Sequence, residues 1–199
     1  MRISKEKAAA NRDEVVVAAA RLFRARGLDG VGVDAVAEAA GLTHGAVYSH
    51  FKSKNALAAQ AVRQALHQSM REWLSLTEGP SATDAFEKLL KTYVSRSHRD
   101  HPEAGCSVAA IGADANRGDD DLREVFRDGV TQFIEVLAAV SPDATEVDRR
   151  RTAILRAAAM VGALVMSRAA AADKALSDEI LAVVRRRLID VGVGGPLAG

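Results

Sequence analysis

Residues 33–51 read Val33-Asp34-Ala35-Val36-Ala37-Glu38-Ala39-Ala40-Gly41-Leu42-Thr43-His44-Gly45-Ala46-Val47-Tyr48-Ser49-His50-Phe51. Val33, Val36, Ala37 and Ala40 fall on one face of a short helix, and Gly41 ends it because glycine accepts the left-handed backbone of a helix stop. A second short helix follows over about Thr43 to Ser49. Assigning Leu42, Val47 and Phe51 inward leaves Thr43, His44, Gly45, Ala46, Tyr48 and His50 outward. Two short helices joined at a glycine, the second of them polar and small on one face, are what a helix-turn-helix requires: the first crosses the DNA backbone and the second enters the major groove. Hydroxyl and imidazole groups bond phosphates or base edges, Gly45 permits close approach, and the Ala46 methyl fits against a thymine methyl.

Upstream, Val15, Val16, Ala19, Leu22 and Phe23 recur at helical spacing from Arg12 to Arg26, and Gly27 follows as the stop. Downstream, Ser53 is placed to cap a helix from Lys54 to about residue 77. Further helices are expected over 82–99 and 105–116, then along the apolar stripe Leu122, Val125, Phe126, Val130, Phe133, Ile134 and Leu137. Ser141-Pro142 reads as the start of a helix over about 143–172, and Ser177 as the start of the last, ending near Asp190. No strand alternation, internal repeat or low-complexity tract interrupts this, apart from a glycine-rich tail after Val191. The chain is therefore expected to be all-α, about nine helices, with an N-terminal DNA-binding domain over 1–54 and a helical domain over 55–199.

The composition of the 199 residues agrees, since 48% are apolar with aromatics at only 4%, a balance that favours helices over sheets. The net charge of +1 hides an asymmetry: residues 1–54 carry +3 and the remainder −2, so the DNA-facing half is the basic one. Arg156 and Arg168 interrupt the longest apolar stretch, Ala153 to Ala172, so no membrane span is expected. The N-terminus lacks the apolar run of a secretory signal, and one cysteine permits no internal disulfide, so the cytoplasm is the expected compartment.

Taken in order, Ala18-Ala19 with Leu22-Phe23 and Gly27, Val36-Ala37 with Ala40-Gly41, and Gly45, Tyr48, Phe51 and Ser53-Lys54 resemble the DNA-binding domain of the TetR family over about residues 12–58. The resemblance implies an all-helical homodimer that binds double-stranded operator DNA, most often as a repressor, and lets go when its C-terminal domain takes up a small molecule. Thr43 and His44 then fall at the start of the recognition helix, Tyr48 and His50 where the backbone is touched, and Lys54, with Lys52 beside it, at a phosphate-binding lysine. Three positions depart from the family pattern. Val31 and Gly32 replace a usual Thr or Ser before the first helix of the motif, Asp34 stands where a basic residue is common and would repel phosphate, and His44 replaces a frequent lysine.

The segment Ala104-Gly105-Cys106-Ser107-Val108-Ala109-Ala110, followed by an acidic turn, is similar to the NemR-like subgroup of that family, in which a cysteine near this point acts as a redox trigger. Cys106 would sit in a first helical turn, with His98, Arg99 and His101 close in sequence, and both influences lower a thiol pKa. Free cysteine is equally a small buried apolar residue. Trp73, Tyr93, Phe126, Phe133, Met160 and Met166 could line a pocket for the small molecule or form ordinary core. Ala158 and Gly162 belong to a small-sided helix surface, and Ile180, Leu181, Val184 and Leu188 recur at spacings of three to four on the last helix. Together they suit a four-helix interface between two copies. His98 and His101 lack a third ligand at a fitting spacing, so no metal is expected. No cofactor motif is present, and the absence of a Ser-His-Asp ordering or a phosphate loop argues against an enzyme.

Overall fold

The computed structural model describes residues 5–78, 81–141 and 145–192. Met1 to Ser4, Pro142 and the tail beyond residue 192, read above as a terminus, a helix start and a glycine-rich end, lie outside them. Among the described residues there are ten α-helices: α1 Lys5–Arg26, α2 Val33–Ala39, α3 His44–His50, α4 Lys54–Thr77, α5 Ala82–Tyr93, α6 Arg96–Asp100, α7 Ser107–Ile111, α8 Asp120–Ala139, α9 Glu146–Ala169 and α10 Lys174–Gly192. Two short 3-10 segments, Pro102–Ala104 and Gly112–Arg117, complete the order. The chain is all-α, as its periodicity requires.

Several boundaries differ from the sequence expectation, each for a local reason. α1 begins at Lys5 rather than Arg12, because Ala8-Ala9-Ala10 has high helix propensity but no buried stripe to reveal it. The helix expected over 82–99 breaks at Val94, whose backbone leaves the helical region, and Ser95 starts α6 by accepting from His98 N at 3.1 Å. The helix expected over 105–116 is a five-residue helix between two 3-10 segments. α9 is capped by Thr145 Oγ1, which accepts from Asp148 N at 3.1 Å. Ser141 does not cap it; its buried hydroxyl donates to Leu137 O and accepts from Arg156 Nη1. Asp173, rather than Ser177, caps α10, its Oδ1 accepting from Leu176 N at 3.1 Å. Ser177 is buried and donates to Ser167 O.

Two compact units divide the chain, the first made of Met1–Gln68 with Pro102–Gly129 and the second of Ser69–His101 with Val130–Gly199. The first is built around Val15, Val16, Ala19 and Phe23 of α1, which pack with Val36, Val47, Phe51 and Leu57 in one apolar cluster. Burying such a side chain stabilises the fold by about 1.5–3 kcal/mol. Gly27 ends α1 with φ +77. Next to it, Asp114 accepts from Leu28 N at 3.1 Å and is bonded by Arg117, so the second 3-10 segment is tied to the loop between α1 and α2. At Gly129 an added Cβ would come within 2.5 Å of the Leu66 side chain, so the absence of a side chain lets α8 lie close against α4.

In the second unit Trp73, Tyr93 and Phe133 pack on one another, with ring centroids 4.6–5.3 Å apart. α9 and α10 form an antiparallel hairpin across a tight turn. By length and composition alone α9 is long and apolar enough to cross a membrane, although Arg156 and Arg168 lie within it. Those two arginines are used within the unit. Arg156 is buried, its guanidinium 3.8 Å from the Phe86 ring centroid, and Arg168 donates to the carbonyls of His98 and Arg99.

The buried Arg99 joins α6 to α10, donating to Ser177 Oγ at 2.9 Å and to Asp178 Oδ1 at 2.7 Å, and it also bonds Asp100. Hydrogen bonding to Asp100 and then Asp178 raises the Arg99 pKa. Bonding to Arg99 holds the carboxyls of Asp100 and Asp178 below the usual carboxylate range. A depressed carboxyl pKa contributes stability that is present above the unfolded value and lost as pH falls through the folded one. The expected outcome is that Asp178→Asn lowers the thermal midpoint at neutral pH, and that the gap from wild type closes on acidification below the ordinary aspartate range. A gap that persists undiminished well below that range would contradict the assignment.

Candidate nucleic-acid interface

The site is assembled from α2, α3 and the turn between them. Gly41 takes φ +66, its N–H donates to Glu38 O at 3.0 Å and that of Leu42 to Ala37 O at 2.9 Å. This pair of bonds closes the end of α2 and turns the chain sharply. Thr43 then caps α3, its Oγ1 accepting from Ala46 N at 3.3 Å. Gly32 precedes α2 without any side-chain cap bond, in keeping with the missing hydroxyl noted in the sequence. Val36, Ala37, Val47 and Phe51 are buried beneath this pair. Arg12 of α1 lies over the Phe51 ring, 5.4 Å from its centroid, and bonds Gln60 of α4.

With that underside fixed, Thr43, His44, Gly45, Ser49 and Lys52 are exposed, Tyr48 is 47% exposed, and Ala46 and His50 are half-buried. The His44 and Tyr48 rings lie 4.9 Å apart, and His50 meets the Phe51 ring edge-on at 6.4 Å. His44 Nδ1 is bonded to Asp34 Oδ1, a pairing across the turn that sequence reasoning missed. Ser53 caps α4 by accepting from Ala56 N at 3.1 Å. Lys54, half-buried at the first turn of α4, borders a polar recess with Asp29, Asp114 and Arg117.

The residues proposed for the rest of the chain are distributed differently. Trp73, Tyr93, Phe133 and Met160 are buried in the second unit, whereas Phe126 belongs to the core of the first. Met166 is 60% exposed and lines no interior space; it points away from α9 because the inward positions there are taken by Met160, Ala163, Leu164 and Ser167. Cys106 precedes α7 and is 1% exposed. His98 and His101 each bond a backbone carbonyl through Nδ1, those of Tyr93 and Ser97. On the α9–α10 hairpin, Ala158 is exposed and Gly162, Ile180, Val184 and Leu188 are half-buried, while Leu181 is buried against the unit's own core.

A glycine-broken pair of short helices with an apolar underside and a polar, exposed second helix is a helix-turn-helix DNA-binding domain. Residues 15–61 match the family model "Bacterial regulatory proteins, tetR family", so this segment is a DNA-binding domain of the TetR type. A stretch of 81 residues is 35% identical to the HTH-type transcriptional repressor KstR2 of Mycolicibacterium smegmatis, covering 41% of this chain and 38% of that protein. Another of 84 residues is 34% identical to the HTH-type transcriptional regulator TtgR of Pseudomonas putida, covering 42% and 40%. The chain thus aligns with about two fifths of the length of these curated relatives. Its fold is similar to that of a TetR-family regulator from Chloroflexus aurantiacus, with TM-score 0.78, 24% identity and 95% and 97% of the two chains covered. It is also similar to the reduced form of Escherichia coli NemR, with TM-score 0.74, 17% identity and 89% and 96% covered.

Gly41→Ala is expected to destabilise the protein by about 1–2 kcal/mol, since an L residue resists the left-handed conformation, whereas Tyr48→Ala should change stability by less than about 0.5 kcal/mol. Urea unfolding of the two variants measures both. The burial of Cys106 leads to a further expectation, that a thiol reagent modifies it only after denaturation. Stoichiometric modification of folded protein would show that the thiol is accessible.

Proposed function

We propose that the chain is a sequence-specific transcriptional regulator, acting as a homodimeric repressor that a small molecule releases from operator DNA. The observation that carries this reading is the outward face of α3, where Thr43, His44, Gly45 and Tyr48 stand exposed above the buried Val47 and Phe51. Phosphate-directed residues, Lys52, Lys54 and His50, flank that face and would fix the register on the duplex, while Thr43, His44 and Ala46 would meet base edges. The names of KstR2 as a repressor and TtgR as a regulator support the assignment. In this reading residues 1–54 bind DNA, residues 55–199 bind the ligand and pair the subunits, and the protein works in the cytoplasm without catalysing a reaction.

Pairing of two copies is supported by the α9–α10 hairpin. Ile154, Leu155, Val165 and Met166 of α9 and Val183 of α10 are 44–60% exposed, and a Cβ at Gly162 would meet nothing within 4 Å. An apolar, small-sided helical surface of this kind favours close helix approach from a second copy. Leu181 is withdrawn from the proposed interface because it is buried within the chain. Release through Cys106 is the less favoured alternative, since a sensing thiol needs solvent access and this one is 1% exposed.

Two outcomes are expected. The protein should shift a fragment from its own upstream region in a mobility assay, with Lys54→Ala weakening binding to all sequences and lowering the salt slope by about one, and His44→Ala changing sequence preference instead. Failure of folded dimer to bind any such fragment at low salt would overturn the reading. Separately, Leu155→Glu should convert the dimer to a folded monomer in sedimentation and abolish the shift; a variant that stays dimeric would move the interface elsewhere.

A further inference from the structure

We infer that Asp34, which does not itself belong on DNA, is a positioning residue that makes His44 discriminate amino from keto bases in the major groove. The inference rests on the DNA-binding reading above and adds the chemistry of one specificity contact. Asp34 is the second residue of α2 and His44 the first of α3, so the turn at Gly41 brings them together although ten positions separate them. Oδ1 of Asp34 meets Nδ1 of His44. A carboxylate only accepts hydrogen bonds, so Nδ1 carries the hydrogen. The Tyr48 ring, one turn further along α3 and 4.9 Å from the imidazole, borders it from within the helix.

With Nδ1 committed to Asp34, the ring meets a ligand through Nε2, and a neutral imidazole protonated on Nδ1 presents a lone pair there. A lone pair needs a donor. In the major groove adenine offers N6–H and cytosine N4–H, whereas guanine and thymine offer oxygen acceptors in the corresponding region. His44 held in this way therefore favours A or C over G or T on the strand it faces. A lysine at this position, which only donates, would favour the opposite set. The acid at position 34 thus suits the histidine at position 44, and the two departures from the family pattern form one unit. Their side chains are 85% and 55% exposed, and an exposed pair of this kind contributes little to folding stability, which leaves orientation as its effect.

The test has two independent arms. In protein labelled with 15N-histidine and free of DNA, at about pH 8.5 where ordinary imidazole is neutral, the His44 nitrogens should report hydrogen on Nδ1. In Asp34→Ala they should shift toward the Nε2–H form. Identical nitrogen shifts in the two proteins would overturn the pairing. In the second arm, duplexes selected from a random pool should show an A-or-C preference at one position per half-site. That preference should fall about tenfold, the value of one good base contact, in Asp34→Ala, in His44→Ala and no further in the double variant. If Asp34→Ala instead raises affinity for every duplex alike with preference unchanged, the carboxylate only repels phosphate and the inference fails. A wild-type protein that selects no sequence refutes the DNA-binding reading, while the nitrogen shifts still decide whether Asp34 sets the tautomer.

Discussion

The burial of Val47 and Phe51 against α1 is the interaction on which the rest of the N-terminal unit depends. α3 has only seven residues, too few to hold a helix in water by its own hydrogen bonds. Its shape is imposed from below, by Val36 and Ala37 on the adjoining helix and by Val15, Val16, Ala19 and Phe23 on α1. The same packing fixes which residues face outward. Once Val47 is inside, the 3.6-residue period turns Gly45, Tyr48 and Ser49 away from it, while His44 is exposed at the start of the helix. Polar chemistry at the surface is thus a by-product of apolar chemistry beneath it.

The second unit is held together by other means. Its aromatic trio supplies apolar bulk, but its helices are also tied by arginines whose donors end on specific acceptors: Arg99 on Ser177 and Asp178, Arg156 on Ser141, and Arg168 on two carbonyls of α6. Planar guanidinium groups with several donors suit such multi-point joints. The small residues of α9 complement them, since alanine and glycine leave room for close approach without filling the core themselves.

Much of this was legible in the sequence and some was not, for reasons that can be named. The helix-turn-helix could be read because its apolar residues repeat at 3-4 spacing and Gly27 and Gly41 mark stops that only glycine occupies cheaply. The first turns of α1 could not, because an alanine-rich helix end with little buried surface carries no periodic signal. Val94 was invisible as a break: it is apolar and buried, like its neighbours, and only the Ser95 cap marks the new start. Met166 and Leu181 fell on the wrong sides because helical spacing gives a stripe but not its absolute rotation about the axis. The bond between Asp34 and His44 joins residues on different helices, and nothing along one strand of text reports distance across a turn.

The shallow seating of the outward residues of α3 has a wider meaning. Since His44, Gly45 and Tyr48 project from a helix whose shape is fixed from its other side, their identities bear little on whether the domain folds, whereas Thr43 also caps that helix. Those three residues can therefore be exchanged one at a time while the framework persists, so a changeable tip and a fixed underside follow from the same architecture.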